Sequence, residues 1–498
     1  MLFNSIDFLF FFPVVTLLYF VIPKKVRYIW LLIASYYFYM SWNPKYALLI
    51  ALSTILTYGG GLLLSKFSQN GRIGLGKLVM AVVFVANLGI LGIFKYYNFF
   101  LDSLAALLGT AGITLSAPHL DLLLPVGISF YTFQALGYMM DVNRGTVKAE
   151  KNFFRYALFV SFFPQLVAGP IERSKNLLGQ ICEIEQIKLW NYSRIRDGFV
   201  LMIWGLFQKL VIADRASLLV DGVISNYTCF CWWQIIVAAV FFALQIYCDF
   251  GGYTNIARGA AKIMGFELME NFRQPYFAKN IHDFWRRWHI SLTGWFTDYL
   301  YIPLGGNRKG TLRKYANIAI VFAVSGLWHG ARWNFVVWGM LHGCYQIIGD
   351  VKNKLLAKLV PETNIFRKIG QPKLVQYVER FCSVLVTFTL VDLAWIFFAT
   401  PNMQVAIGML RQLFVWSKIT NFVPLGLHSG YFVCMGIGVL LLFAVDFMRE
   451  VGHSVMQLVN RWVFPARLVI YMALLWLVIV LGIYGTHYDA GAFIYFQF

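Results

Sequence analysis

The stretch IAIVFAVSGLWHGARWNFVVWGMLHG, residues 318–343, joins two apolar runs through the short link Gly330-Ala331-Arg332. The first run is uninterrupted up to Trp328, and His329 stands at its end. An imidazole within or at the edge of a membrane span is costly unless it faces protein or water. Function is therefore the default reading, and a helix-packing hydrogen bond is the alternative. Gly326 and Gly330 flank His329 at i−3 and i+1, which removes side chains where another helix or a substrate approaches.

The composition agrees that the solvent is lipid. The chain has 498 residues, 59% of them hydrophobic, 18% aromatic and 13% charged, against roughly 25% charged in soluble domains. This predicts an all-α polytopic membrane protein with membrane lipid as its surroundings. The net charge of +19 does not indicate nucleic acid, because the Lys and Arg residues cluster in short strips between apolar segments, as positive-inside loops do. Seven cysteines are scattered. Cys229 and Cys231 form the one close pair, with no His or second pair spaced to complete a zinc site, so neither a disulfide framework nor a metal is expected.

The first segment, NSIDFLFFFPVVTLLYFVIP, has no basic residue ahead of it and no small-residue cleavage site after it, and reads as a span and not as a signal peptide. Lys24, Lys25 and Arg27 follow directly, which places the N-terminus outside the cell membrane. Further apolar stretches centre on residues 27–42, 46–65, 78–97, 122–140, 153–171, 198–213, 233–249, 314–328, 333–348, 381–399, 430–447 and 467–485, giving roughly a dozen helices. Pro125 with Gly127, Pro164, and Gly169 with Pro170 interrupt two of them. Broken helices at membrane depth imply a cavity or kinks for packing. The hydrophilic connections around 172–197, 270–291, 305–314 and 350–380 carry most of the basic residues and read as the cytoplasmic surface. No connection is long enough for a separate soluble domain, so one integral-membrane domain over 1–498 is expected.

Residues 281–306, IHDFWRRWHISLTGWFTDYLYIPLGG, carry Ile281, Phe284, Trp285, Trp288, Leu292, Trp295, Phe296 and Tyr299 at spacings of three and four. On one helix this makes an apolar face about 120° wide, with Arg286 and Arg287 pointing away. The pattern suits a helix at the membrane interface or packed sideways in the protein. His289 falls about 40° from Trp285, at the border of the two faces, where it reads as interfacial or functional.

No phosphate-cradling loop, hydrolase elbow or metal cluster is visible. Imidazole with Trp, Tyr and Asp in an apolar cavity suits general-base activation of a hydroxyl for acyl transfer from a thioester. Indole or backbone N–H groups stabilise the oxyanion, and an apolar setting favours the neutral imidazole that a base requires. A transporter or channel shares the broken helices and intramembrane polar residues; the sequence lacks visible inverted repeats and has few intramembrane carboxylates, which favours the enzyme.

Five ordered segments carry a more specific signal. They are LPVGISFYTFQALGYMMDVNRG, SFFPQLVAGPIER, YCDFGGYTNIARGAAKIMGFELMENFRQPY, FWRRWHISLTGWFTDYLYIPLGGNRKG and SGLWHGARWNFVVWGMLHG, within roughly 120–345. Together with the opening FNSIDFLFFFPV and the closing FIYFQF, they resemble the membrane-bound O-acyltransferase (MBOAT) family. The likeness is to its bacterial branch of polysaccharide O-acetyltransferases, alginate biosynthesis included, and D-alanyl-lipoteichoic acid transfer proteins.

The resemblance implies a ring of tilted helices with re-entrant and interfacial segments around a central funnel, where a cytoplasmic acyl donor meets an acceptor from outside. It places the principal catalytic histidine on His329 and the second motif histidine on His289. Trp285, Trp288 and Trp328 line the approach, and Asp249 and Tyr253 are polar supports or helix-packing residues. Arg286, Arg287, Arg308 and Lys309 meet donor phosphates or are ordinary positive-inside charge. The implied donor is acetyl-CoA or a carrier-protein thioester, with no cofactor tightly bound. The implied partner is an extracytoplasmic SGNH-type acetyltransferase, and D-alanyl transfer toward teichoic acid is the alternative within the family.

Overall fold

The computed structural model describes residues 1–115, 117–359, 372–416, 425, 428–484 and 493–494. Among them every regular element is helical. Among the described residues six helices are long and apolar enough to cross a membrane: Tyr46–Gln69, Ile73–Gly109, Trp232–Met264, Lys373–Ala399, Ser429–Glu450 and Phe464–Leu481. Ile6–Val21 is a shorter apolar helix. Thr311–His329 and Trp333–Leu359, read from sequence as spans, fall outside that set. Asn317, Ser325 and His329 dilute the first, and Asn334, His342 and the charged end beyond Asp350 dilute the second. Residues 360–371, within the basic stretch expected at 350–380, and the last four residues of FIYFQF lie outside the described residues.

The chain divides into two compact units. One comprises Met1–Leu206, Gly252–Met269 and Gly485–Phe498. Its centre is aromatic, with Phe8 and Phe163 each in ring contact with Phe11 and Phe38, which also touch each other. Several polar side chains in its helices find partners within the protein, as membrane-buried groups tend to. Tyr156 Oη donates to Thr57 at 2.8 Å, Ser53 donates to Asn87 at 2.6 Å, and Gln165 donates to Gln134 at 2.7 Å. The breaks read at Pro125–Gly127 and Pro164 are present. The Ile128–Asn143 helix starts only after Gly127, whose φ is +76°, and Phe153–Ser161 stops before the short Phe163–Leu166 turn.

The second unit comprises Phe207–Gly251 and Glu270–Tyr484. At its heart Thr311–His329 packs on Trp333–Leu359 with almost no side-chain spacer. A Cβ on Gly326 would collide with the Phe335 carbonyl, and one on Gly339 with the Phe322 carbonyl. These small residues let the two backbones touch, which turns Trp338 toward the end of the first helix.

The segment 281–306 departs from the single amphipathic helix expected. Ile281–Arg287 is one helix and Ile290–Phe296 another, while Trp288 is extended and His289 adopts φ +43°, ψ +52° between them. The helical wheel assumed an unbroken helix and therefore misplaced His289. It is no border residue but completely buried, and Ile281, Phe284, Trp285, Trp288, Leu292 and Trp295 are buried with it. Both short helices bury these residues inside the protein.

The helix contact sets a stability expectation. Gly339→Ala is expected to lower the unfolding free energy by about 1–3 kcal/mol through overpacking. Gly349→Ala, on the same helix with open space around it, should be neutral or stabilising by up to about 1 kcal/mol. Thermal melting of both variants in detergent checks this, and equal midpoints would refute the close approach as a source of stability.

Candidate acyl-transfer site

His289 and His329, forty residues apart in sequence, meet in the second unit with ring centroids 6.2 Å apart. His329 is the last residue of its helix, where Gly330 turns extended. Its ring stands edge to face against Trp328 and Trp338, each at 5.0 Å, and against Phe398 at 5.4 Å. His289 packs edge to face on Phe250 at 4.8 Å and on Trp328 at 5.8 Å. Both histidines are at most 3% exposed. Trp328 thus touches both imidazoles.

The backbone at His289 is held from outside. A non-glycine residue in the left-handed region is disfavoured by about 1–3 kcal/mol and persists only where its surroundings determine it. Here Asn271 lies alongside: its carbonyl accepts from the Ile290 amide at 3.0 Å, and its side-chain Oδ1 accepts from the Ser291 amide at 3.2 Å. The Arg287 carbonyl accepts from the Arg273 amide at 2.9 Å. The Arg287 guanidinium donates to Asp283 at 2.9 Å and to Glu450, which also pairs with Arg380 at 2.9 Å. Arg287 therefore anchors the turn that precedes His289.

Its neighbour Arg286 behaves differently. It is exposed and lines a cavity of about 1210 Å³. Lys279 and Lys352 stand at the same rim, whereas Lys314 is paired with Asp350 at 2.8 Å. The inner wall is apolar, built from Trp285, Phe296 and Phe322, and reaches Ser325, one helical turn before His329. The broken helices near 125–170 do not line this cavity. Arg308 and Lys309 are exposed and are not part of its lining.

The remaining sequence candidates have distinct places. Trp285 joins the cavity wall to Trp338, with centroids 5.8 Å apart. Trp288 is buried among Phe272, Phe284 and Trp395. Asp249 pairs with Lys209 at 2.8 Å, and the same ammonium holds Asp214 at 2.8 Å. Tyr253 belongs to the first unit, where its ring stacks on Phe3 at 4.4 Å and packs on Phe493 at 4.6 Å. Sequence reasoning passed over Trp338, Phe398, Asn271 and His342, which build the walls and the backbone support. His342 carried the same signal as His329, a histidine beside a glycine in an apolar run.

The strain at His289 can be read by substitution. His289→Gly and His289→Val both remove the imidazole. The valine variant is expected to be less stable than the glycine variant by about 1–3 kcal/mol, because only glycine adopts positive φ freely. Equal thermal midpoints would show that the backbone there is not constrained.

A sequence model of the membrane-bound O-acyltransferase family matches residues 147–371. The chain is 38% identical to a probable alginate O-acetylase AlgI of Pseudomonas aeruginosa, over 83% of this chain and 75% of that protein. It is 34% identical to a peptidoglycan O-acetyltransferase of Helicobacter pylori, over 83% of this chain and 80% of that protein. A teichoic acid D-alanyltransferase of Bacillus subtilis is 29% identical over 46% of this chain and 60% of its own length. With apolar helices of spanning length and relatives matched over most of its sequence, the chain is a multi-pass membrane acyltransferase and belongs to the membrane-bound O-acyltransferase family.

Proposed function

We propose that the protein takes an acetyl group from a cytoplasmic thioester, acetyl-CoA, and passes it through the cell membrane for O-acetylation of an extracytoplasmic polysaccharide such as alginate. The observation that carries this reading is the pair of buried imidazoles 6.2 Å apart, one helical turn beyond Ser325 of a cavity that Arg286, Lys279 and Lys352 also line, although neither histidine is part of that lining. The rim residues Arg286, Lys279 and Lys352 suit the phosphates of the donor. The apolar wall suits its uncharged arm.

In the transfer itself His329 accepts the proton of the acceptor hydroxyl as its oxygen attacks the thioester carbon. The C–S bond then breaks, and the imidazolium returns the proton to the leaving thiolate. His289, rigid in its strained turn, orients the thioester. Acetyl is favoured over D-alanyl because the O-acetylating relatives match 83% of the chain and the D-alanyl-transferring one 46%. The proposal includes a ring of roughly a dozen tilted helices around a funnel, an N-terminus outside, and an SGNH-type extracytoplasmic partner that completes delivery to the glycan. In the D-alanyl reading a cytoplasmic carrier protein replaces CoA.

The test is donor-dependent release of free thiol by purified full-length protein with acetyl-CoA and a hydroxyl acceptor. His329→Ala is expected to lower the rate by about 10²–10⁴-fold, the usual contribution of a general base, while its melting profile stays cooperative. A full rate in a folded His329→Ala protein would sink the assignment. Turnover with a D-alanyl carrier protein but not with acetyl-CoA would move the protein to the other substrate class.

A further inference from the structure

A third histidine is buried beside the pair. His342, on the Trp333–Leu359 helix, is 0% exposed. Among the described residues neither of its ring nitrogens has a hydrogen-bond partner. Its ring stands edge to face against Trp285 at 5.0 Å and Trp338 at 5.1 Å, and stacks on Phe284 at 6.0 Å. It also meets Tyr345 at 5.9 Å and Phe322 at 6.4 Å. Trp285, Phe322 and Tyr345 belong to the cavity lining, and Trp338 is the indole that carries His329 on its other contact. His342 therefore lies directly behind the cavity wall, one indole away from His329.

Packing alone does not call for an imidazole here. A phenylalanine would fill a slot made of rings without burying two polar nitrogens, each of which disfavours the fold when unmatched. A neutral imidazole offers one donor and one acceptor, and a polar group kept in a site wall without a protein partner is available to a ligand. The Trp285 Nε1 shares this condition, with no partner among the described residues.

We propose that His342 is a donor-positioning residue: it hydrogen-bonds an amide of the thioester donor's arm where that arm passes Trp285 toward His329. Rotation of the Trp285 indole opens His342 to the cavity, and no covalent bond changes. This role rests on the thioester-donor reading given above.

The test uses full-length protein in detergent with acetyl-CoA as the varied substrate. His342→Phe is expected to raise the donor KM by about tenfold, the loss of one neutral hydrogen bond. The acceptor KM should stay within about twofold and the melting temperature unchanged or higher, because a buried unmatched polar group is gone. His342→Gln, which keeps a donor and an acceptor, should recover most of the donor KM. A wild-type donor KM in His342→Phe, or an acceptor KM that rises equally, would overturn the role; His342→Leu serves if the phenylalanine variant does not fold. Calorimetric binding of a thioether analogue of acetyl-CoA reads the same contact without turnover. If wild type neither binds nor consumes the donor, the thioester reading fails. If wild type binds the analogue and His342→Phe binds it equally well, only the role of His342 fails.

Discussion

Gly326 and Gly339 allow two helices to meet backbone against backbone, and the geometry of the second unit's site follows from that contact. With Cβ atoms at these positions the axes would separate, and Trp338 and Phe335 would leave the end of the Thr311–His329 helix. As built, Trp338 stands edge-on to His329, stacks on Trp395, and touches Trp285 and His342. Aromatic rings are suited to this task because their quadrupoles favour edge-to-face contacts of definite geometry. Such contacts hold an imidazole ring in place.

The two histidines are fixed by opposite means. His329 ends a helix, so its position comes from tertiary packing of a regular element. His289 sits between two short helices in a conformation the chain would not choose alone. Its place comes from Asn271 and Arg273 on one side and from the Arg287–Glu450 ion pair on the other. Removing one partner from a pair of this kind exposes the other charge to an unfavourable setting. The turn is therefore coupled to the end of the Ser429–Glu450 helix, far from it in sequence.

What was legible in the sequence was whatever the chain decides locally. The helix breaks at Pro125–Gly127 and Pro164 follow from backbone chemistry, and the exceptional standing of His329 follows from an imidazole in an apolar run. His289 was legible as a residue but not as a conformation, because a helical wheel presupposes the continuity that Trp288 and His289 break. The walls were not legible at all. Phe398 meets His329 from a helix nearly seventy residues downstream, and nothing in WIFFA marks that phenylalanine from its neighbour. His342 was available to the same reasoning as His329.

The adjacent arginines show how little a charge in sequence says about its use. Arg286 and Arg287 occupy consecutive positions of one short helix, about 100° apart around its axis. That rotation alone sends Arg286 to the cavity rim and Arg287 to Asp283 and Glu450. The paired guanidinium is held by two carboxylates and gives the turn before His289 its rigidity. The exposed one lines the cavity, and in the proposed function its planar fork meets the donor's phosphate oxygens. One Arg-Arg step in the sequence thus supplies both an anchor for the turn before His289 and a cation on the cavity lining, and the two are separated by the geometry of a single helical residue.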